Sequence, residues 1–270
     1  MATLQVSEIF YSIQGEGATC GRAAVFIRLG GCSLGCRWCD TKYAWHGGQA
    51  WEVAALVAAL CAYPARRVVV TGGEPFEQDL APLLAALRHQ GYTIEIETAA
   101  FVPLARVQCA PLADQLNVSP KLANSGVPEA RRICLPVLRF LRDTGKAYFK
   151  FVIDRPEDLA EVDALVQALS LPAERVLLMP QGLTAAEVLE KSRWLVELCK
   201  ARGFGYSPRL HVLLWGGPPR RLSIFLSSFS RLLPIQEVPL WLPRLAATGQ
   251  HPSKANHPKG WDAKPLAYVL

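Results

Sequence analysis

The sequence of 270 residues lacks the two kinds of apolar segment that direct a protein out of the cytosol or into a membrane. Residues 1–6 contain neither the basic stretch nor the apolar stretch of a secretory signal peptide. The longest unbroken apolar run, 53–63, is shorter than the roughly 18 residues that a membrane-spanning helix needs. We therefore expect a cytoplasmic protein with no membrane partner, in which cysteines stay reduced.

The sequence also has little net positive charge over most of its length. The formal net charge is +6, but residues 217–270 carry seven Lys and Arg against two acidic residues, which is +5. The other 216 residues therefore carry about +1 in total. Because nucleic-acid-binding domains concentrate positive charge on one face, we expect no nucleic-acid partner.

A further absence concerns metal ligands. Cys32, Cys36 and Cys39 stand at C-x3-C-x2-C spacing, yet no fourth cysteine and only one histidine, His46, lies near them. Closed zinc sites and closed [4Fe–4S] clusters both use four protein ligands. Three thiolates would leave one iron of a cubic cluster open to another molecule, so we predict an open [4Fe–4S] site. Zinc is the alternative, and a disulfide is disfavoured because three cysteines cannot all pair with one another.

Short β-branched or aromatic segments alternate along the chain with apolar residues at helical spacing. We predict strands over 3–10, 23–29, 68–70, 93–98, 115–119, 148–153, 175–179 and 210–215. We predict helices around 53–60, 80–87, 129–142 and 156–169, and another after the capping-box pair Thr184 and Glu187. This alternation predicts an α/β fold with parallel strands, forming an α/β barrel or part of one.

Polar motifs follow several of these strands, at 71–75, 97–98, 119–121 and 179–182. In α/β barrels the chemistry lies at the carboxyl ends of the strands, so we expect these segments to border one site. From residue 217 onward, prolines interrupt every run except 222–233, which could form a helix. We therefore predict a core domain, 1–216, followed by an irregular or disordered C-terminal tail, 217–270.

Two motifs together resemble the signature of the radical S-adenosylmethionine (SAM) superfamily. They are the cysteine run, with Trp38 before its last cysteine, and Thr71-Gly72-Gly73-Glu74-Pro75 after a strand. The resemblance implies a partial or modified (βα)6 barrel in which SAM chelates the open iron and segment 71–75 supports its amino group. It also implies that the reduced cluster cleaves SAM to a 5′-deoxyadenosyl radical.

Within that superfamily, segment 8–17 resembles the family of 7-carboxy-7-deazaguanine synthases. Segments 26–28, 39–41, 119–121, 179–182 and 207–211 match as well, and the resemblance covers residues 4 to about 216. It implies a lyase that converts 6-carboxy-5,6,7,8-tetrahydropterin to 7-carboxy-7-deazaguanine with loss of ammonia, on the route to queuosine. Hydrogen abstraction from C6 would start a ring contraction, the hydrogen would return to regenerate SAM, and a flavodoxin-like protein would supply electrons.

The resemblance implies a role for each matching residue. The [4Fe–4S] cluster would be held by Cys32, Cys36 and Cys39. The SAM pocket would comprise Trp38, Asp40, Gly73, Ser119, Lys121 and Gln181. The pterin would contact Ile13, Gln14, Gly15, Glu16, Arg28, Thr71 and His211, with Arg28 on the substrate carboxylate because a guanidinium fork matches it. Thr41 would bind Mg²⁺ through oxygen.

Other interpretations stay open. Taken singly, Arg28, Thr41 and His211 also fit a surface strand residue, a cap and a core histidine. A glycyl-radical activase is disfavoured because segment 14–16 and Arg28 suit a small heterocycle with a carboxylate. An electron-transfer iron–sulfur protein would need a fourth cysteine and no SAM pocket. A zinc-stabilised binding module would bind metal in air and show no charge-transfer colour after anaerobic reconstitution.

Residues from 217 onward depart from the family pattern, in which a short Asn- and Arg-containing end helps to close the substrate pocket. Closure of the pocket is therefore an open question. The sequence also leaves the oligomeric state open, and a homodimer is one of the states that we consider.

Overall fold

The structure is a computed structural model that describes residues 2–216. The strands in this range are β1 (Thr3–Ile13), β2 (Ala23–Leu29), β3 (Gln49–Glu52), β4 (Arg67–Gly72), β5 (Thr93–Thr98), β6 (Gln115–Val118), β7 (Ala147–Ile153), β8 (Val176–Pro180) and β9 (Gly205–Tyr206). The helices are α1 (Val53–Ala59), α2 (Ala81–His89), α3 (Glu129–Arg132), α4 (Leu135–Asp143), α5 (Leu159–Leu169), α6 (Ala185–Arg202) and α7 (Leu210–Trp215).

All nine of these strands belong to one sheet, in the order β3-β1-β2-β4-β5-β6-β7-β8-β9. Neighbouring strands from β2 to β9 are parallel, whereas β1 pairs antiparallel with both β2 and β3. The predicted α/β fold with parallel strands is confirmed. Within residues 2–216 the sheet is open, with β3 and β9 at its two edges.

The two faces of the sheet differ in polarity because strand residues alternate between them. On one face Ile27, Val70, Ile96, Leu116 and Phe151 pack with the helices in the main hydrophobic core. On the other face, residues one position along these strands are mostly polar. They are Arg28, Thr71, Glu97, Asn117 and Lys150. A fully buried parallel strand is usually apolar throughout, so this polar row indicates a functional face.

The structure corrects two of the predicted elements. The single helix expected over 129–142 is two helices, because Pro136 lacks an amide hydrogen and its ring would clash with the carbonyl of residue 132. The segment predicted as a strand at 210–215 is helix α7. Its burial shows why: Val212 is buried, but Leu214 and Trp215 are exposed, whereas a buried strand would cover alternate residues.

The predicted start of α6 is confirmed in detail. Thr184 accepts a hydrogen bond from the amide of Glu187, and the Glu187 carboxylate accepts one from the amide of Thr184. Strands β3 and β9 were not predicted from the sequence. The tail prediction for 217–270, including the helix over 222–233, lies outside the described residues. No helix in the described part combines the length and the apolar character that crossing a membrane requires.

Candidate active site

The carboxyl ends of the parallel strands border a cavity of about 510 Å³. All seventeen residues that the sequence predicts for the site line this cavity. They are Ile13, Gln14, Gly15, Glu16, Arg28, Cys32, Cys36, Trp38, Cys39, Asp40, Thr41, Thr71, Gly73, Ser119, Lys121, Gln181 and His211. We call the part bordered by Cys32, Cys36, Cys39 and Gly73 the thiol side, and the part bordered by Gln14, Glu16, Arg28 and His211 the polar side.

The loop that carries the three cysteines is held mainly by main-chain contacts. The Gly31 carbonyl accepts a hydrogen bond from the amide of Glu74 at 2.8 Å. Gly73 packs so closely here that an added Cβ would overlap the Gly31 carbonyl oxygen and lie 2.8 Å from the Cβ of Cys32. A glycine is therefore required at residue 73 for the end of β4 to meet the cysteine loop.

The far end of the same loop is fixed by Trp38. Its indole Nε1 donates to the main-chain carbonyl of Asn124 at 3.0 Å, and the ammonium of Lys121 lies 5.7 Å from the centroid of its ring. Lys121 also donates to Ser119 Oγ at 3.1 Å. These contacts bring the segment after β6 against the cysteine loop, so that a cation stands beside the thiols.

The three thiols suit an iron–sulfur cluster, because all three are free and line the same cavity. In a cubic cluster each thiolate binds a different iron, so three thiolates leave one iron open to another molecule. Burial raises the pKa of the Cys36 thiol, and the charge of Lys121 opposes that shift.

The acidic residue of segment 71–75 points away from the cavity. Glu74 is buried and accepts hydrogen bonds from Thr98 Oγ1 at 2.7 Å and from the amide of Ala99 at 2.8 Å. Burial raises the pKa of Glu74 despite these bonds. Gly72 and Gly73 line the cavity instead. This segment therefore offers main-chain groups, not a carboxylate, to a bound molecule.

On the polar side, Arg28 is presented as an oriented fork. Its Nε donates to Glu8 Oε1 at 2.7 Å, and its guanidinium carbon lies 5.6 Å from the centroid of the Phe10 ring. Tyr43 donates to the same Glu8 oxygen at 2.7 Å. Burial alone would lower the pKa of Arg28, but nearby Tyr43 and Glu8 raise it overall. The terminal nitrogens remain available to a carboxylate, whose two oxygens match the planar guanidinium fork.

Glu16 lies in a cluster of cations. It forms ion pairs with Lys150 and with Arg209 Nε at 3.3 Å, and His211 Nε2 lies 3.7 Å from its Oε1. Burial alone would raise the pKa of Glu16, but these charges outweigh it and hold the pKa well below its usual value. Burial lowers the pKa of His211. Glu16 is therefore an anion at neutral pH, and its carboxylate lines the cavity as a hydrogen-bond acceptor.

The Gln14 side chain is occupied by the protein itself. Its amide nitrogen donates to Glu95 at 2.9 Å and to Glu97 at 3.0 Å, and its oxygen accepts from the amide of Glu16 at 3.2 Å. Thr71 donates to Glu97 Oε2 at 2.7 Å. Gln14 therefore orients the loop and two carboxylates, and its side chain has little left to offer a ligand.

The predicted magnesium ligand, Thr41, lines the cavity with its Oγ1 3.5 Å from Cys39 Sγ. The described residues contain another candidate group for a cation, formed by Glu16, Asp40 and His211, whose ligand atoms all lie within 4.8 Å of one another. Arg209 already forms ion pairs with both carboxylates of that group. The guanidinium of Arg209 thus neutralises the negative charge that a divalent ion would otherwise neutralise.

Glu97, Lys150 and Arg209 also line the cavity. Segment 97–98 was expected to border the site, but no role was predicted for the side chain of Glu97, and Lys150 was not predicted at all. The signal for Glu97 and Lys150 was present, since each is a charged residue inside an apolar parallel strand, where only a functional or paired group is expected. Arg209 stands in segment 207–211, which matched the family, but no chemical role pointed to its side chain.

Comparisons with known proteins agree with this geometry, although no protein-family model matches the chain. The chain is 40% identical over 219 residues to 7-carboxy-7-deazaguanine synthase of Pyrobaculum aerophilum, a match that covers 79% of this chain and 95% of the relative. It is 31% identical over 231 residues to the protein of the same name from Escherichia coli, covering 77% and 97% respectively.

Among solved structures, the crystal structure of QueE from Escherichia coli matches with a TM-score of 0.64 and 30% sequence identity. The match covers 77% of this chain and 95% of that one. The likeness in sequence and in fold therefore extends over nearly the whole length of these relatives, and the chain belongs to the 7-carboxy-7-deazaguanine synthase family.

Proposed function

We propose that this protein is a radical SAM lyase that converts 6-carboxy-5,6,7,8-tetrahydropterin to 7-carboxy-7-deazaguanine and ammonia. The observation that carries the proposal is one shared cavity of about 510 Å³ with three free thiols on one side and Arg28, Glu16 and His211 on the other. A cavity of that composition accommodates a metal-bound cofactor and a small anionic heterocycle together.

The polar side suits the pterin. Arg28 would pair with the carboxylate on C6, because its fork is held by Glu8 with the terminal nitrogens left over. Glu16 and the carboxylate of Glu97 would accept hydrogen bonds from the amino-pyrimidinone, which displays several N–H donors. Thr71 and His211 would contact the ring, and Ile13, Gln14 and Gly15 would bind through the main chain and by shape.

On the thiol side, Cys32, Cys36 and Cys39 would hold the cluster, and Trp38, Asp40, Gly73, Ser119, Lys121 and Gln181 would enclose SAM. When bound, the cluster and SAM supply the radical that removes hydrogen from C6 of the pterin. The residues of this chain would position the two molecules and keep water away from the reacting carbon. Thr41 would provide one oxygen ligand to Mg²⁺, whose other ligands would be substrate oxygens and water.

Several finer features belong to the same proposal. Strands β2 and β4 to β8 would correspond to the six strands of a modified (βα)6 radical SAM barrel. We propose that the enzyme acts in the cytoplasm and receives electrons from a flavodoxin-like protein. The glycyl-radical activase and electron-transfer alternatives gain no support from the family to which the chain belongs.

The test is anaerobic reconstitution of the full-length protein with iron and sulfide, followed by SAM, dithionite, Mg²⁺ and the carboxypterin. The wild-type protein is expected to release 7-carboxy-7-deazaguanine and ammonia in equal amounts. Cys36→Ala should abolish product, whereas Cys109→Ala should retain it, because Cys109 is a free cysteine that does not line the cavity. Absence of the deazaguanine from a wild-type protein with a full cluster would refute the proposal.

A further inference from the structure

Two loops carry carboxylates into the cavity from opposite sides, and one arginine joins them. Glu16 belongs to the loop after β1, and Asp40 follows the cysteine run. Between residues 14–17 and 32–40 of the described chain no direct hydrogen bond is formed. Arg209 bonds to both, through Nε to Glu16 at 3.3 Å and through Nη2 to Asp40. The guanidinium is thus the polar link between the polar side and the thiol side.

Electrostatics makes this link necessary. Oxygen atoms of Glu16 and Asp40 lie within 4.8 Å of each other, a separation at which two carboxylates repel strongly in a partly buried site. Arg209 supplies the intervening positive charge, and it is itself buried. Without that charge the two carboxylates would repel each other and move apart.

Hydrogen bonds fix both the side chain of Arg209 and the backbone around it. The Nη1 atom of Arg209 donates to the carbonyl of Gly182. On either side, Ser207 Oγ accepts from the amide of Gly17 at 2.8 Å, and the amide of Leu210 donates to the carbonyl of Gly15 at 2.9 Å. Bonds from two loops, the one after β1 and the one after β8, therefore set where Arg209 stands.

We propose that Arg209 is a positioning residue that sets the spacing between Glu16 and Asp40, and with it the distance between the pterin and SAM. The inference rests on the proposed function, in which Glu16 contacts the pterin and Asp40 contacts SAM. A hydrogen atom is transferred only over a short, aligned distance, and a misplacement of about 1 Å can lower a rate by about 100-fold. Arg209 therefore controls whether the cleavage of SAM is coupled to the reaction of the pterin.

The consequence is a measurable side reaction. If the pterin stands too far from SAM, cleavage ends without product: SAM, two electrons and one proton give methionine and 5′-deoxyadenosine. Dithionite supplies the electrons and water the proton, so the balance closes without the pterin. In the coupled reaction the hydrogen returns and SAM is regenerated. The ratio of 5′-deoxyadenosine to 7-carboxy-7-deazaguanine therefore reports the distance between the two molecules.

The experiment compares reconstituted wild-type protein with Arg209→Lys, which keeps the charge but loses the fork, and with Arg209→Met, which loses both. Both variants should raise the ratio of 5′-deoxyadenosine to deazaguanine by about 10-fold or more, with the larger rise in Arg209→Met. The control is Arg202→Lys, which breaks a bidentate arginine–carboxylate pair with Asp163 away from the cavity. Its ratio should equal that of the wild-type protein.

The ratio is independent of how much protein folds or holds a cluster, because both products come from the same active molecules. Unchanged ratios in both Arg209 variants, with product formation reduced, would overturn the inference and assign Arg209 a purely structural role. Fluorescence titration with 6-carboxypterin adds a second readout: the dissociation constant should rise at least about 5-fold in Arg209→Met, and an unchanged constant would also contradict the inference. Failure of the proposed function is distinct, since the wild-type protein would then make no deazaguanine at all.

Discussion

The two sides of the cavity are built by different means. The thiol side is held by main-chain contacts, in which Gly73 lets the end of β4 touch Gly31 and Cys32. The polar side is held by side-chain charges, in which Lys150 and Arg209 surround Glu16 and Glu8 holds Arg28. Shape therefore controls the thiol side, whereas charge balance controls the polar side. Substitutions on the thiol side should therefore displace the cysteine loop, whereas substitutions on the polar side should unbalance buried charges.

The largest effect is expected from Gly73→Ala on the thiol side. The added methyl group would overlap the carbonyl oxygen of Gly31 and displace the cysteine loop. We expect no measurable product and a loss of most of the iron that the wild-type protein retains after anaerobic reconstitution. Gly91→Ala is the control, because a Cβ there would meet nothing within 4 Å. Its φ of +73° strains the backbone of the alanine variant, so this control tests backbone strain without steric overlap. Full iron content in Gly73→Ala would contradict the shape argument.

The next largest effect is expected from Lys150→Met on the polar side. Removing one partner of a buried ion pair leaves Glu16 under-compensated, and such losses lower the free energy of unfolding by about 3–5 kcal/mol. The double variant Glu16→Gln/Lys150→Met should regain much of that free energy in urea denaturation, yet stay inactive. If the double variant were as unstable as the single one, charge balance would not be what holds this side together.

A smaller effect is expected from Arg28→Lys, which keeps a charge but loses the bidentate fork. One charge-assisted hydrogen bond is worth about 1.5–3 kcal/mol, so KM for the carboxypterin should rise about 10- to 100-fold with a smaller change in kcat. Glu8→Gln, which keeps the acceptor oxygen for Nε but not the charge, should raise KM less than Arg28→Lys does. Equal KM values for wild type and Arg28→Lys would place the substrate carboxylate elsewhere.

The smallest effect is expected from pH. The pKa of Glu16 is lowered by the neighbouring cations despite its burial, so its contribution to stability is present above the unfolded value of about 4.3 and is lost as pH falls through the folded pKa. The pKa of Lys150 is raised overall, so its contribution is present below about 10.4 and is lost as pH rises through the folded pKa.

His211, which lies 3.7 Å from Glu16 and has a lowered pKa, also responds to this change below about pH 7. The difference in free energy of unfolding between the wild-type protein and Glu16→Gln/Lys150→Met should therefore stay constant between about pH 7 and pH 9, as measured by urea denaturation at pH 7, 8 and 9. A steady drift of that difference by more than about 1 kcal/mol would show that one member of the pair titrates inside this window.

Sequence reasoning succeeded where a local pattern has a single physical meaning. The β-branched runs predicted the parallel strands, the spacing of Thr184 and Glu187 predicted the start of α6, and the position of polar motifs after strands placed them at one edge. It failed at 210–215, because a six-residue apolar run suits either a strand or a helix and only the contacts of Leu210 and Val212 decide.

The charges of the polar side could be predicted only in part. Glu97 and Lys150 interrupt apolar strands with the period of a strand face, which is a local signal. The partners of Lys150 and Arg209 are not local: Glu16 lies 134 residues from the first and 193 from the second along the chain. Such pairs depend on the order of strands in the sheet, which hydrophobic periodicity does not determine.

The most direct test of the central claim, that both sides of one cavity serve one reaction, is an isotope transfer. The reconstituted full-length protein would be incubated with SAM, dithionite, Mg²⁺ and carboxypterin that carries deuterium at C6. We expect deuterium to appear in the 5′-position of recovered SAM and 5′-deoxyadenosine while the deazaguanine forms. Formation of the deazaguanine with no deuterium in either adenosyl compound would contradict it.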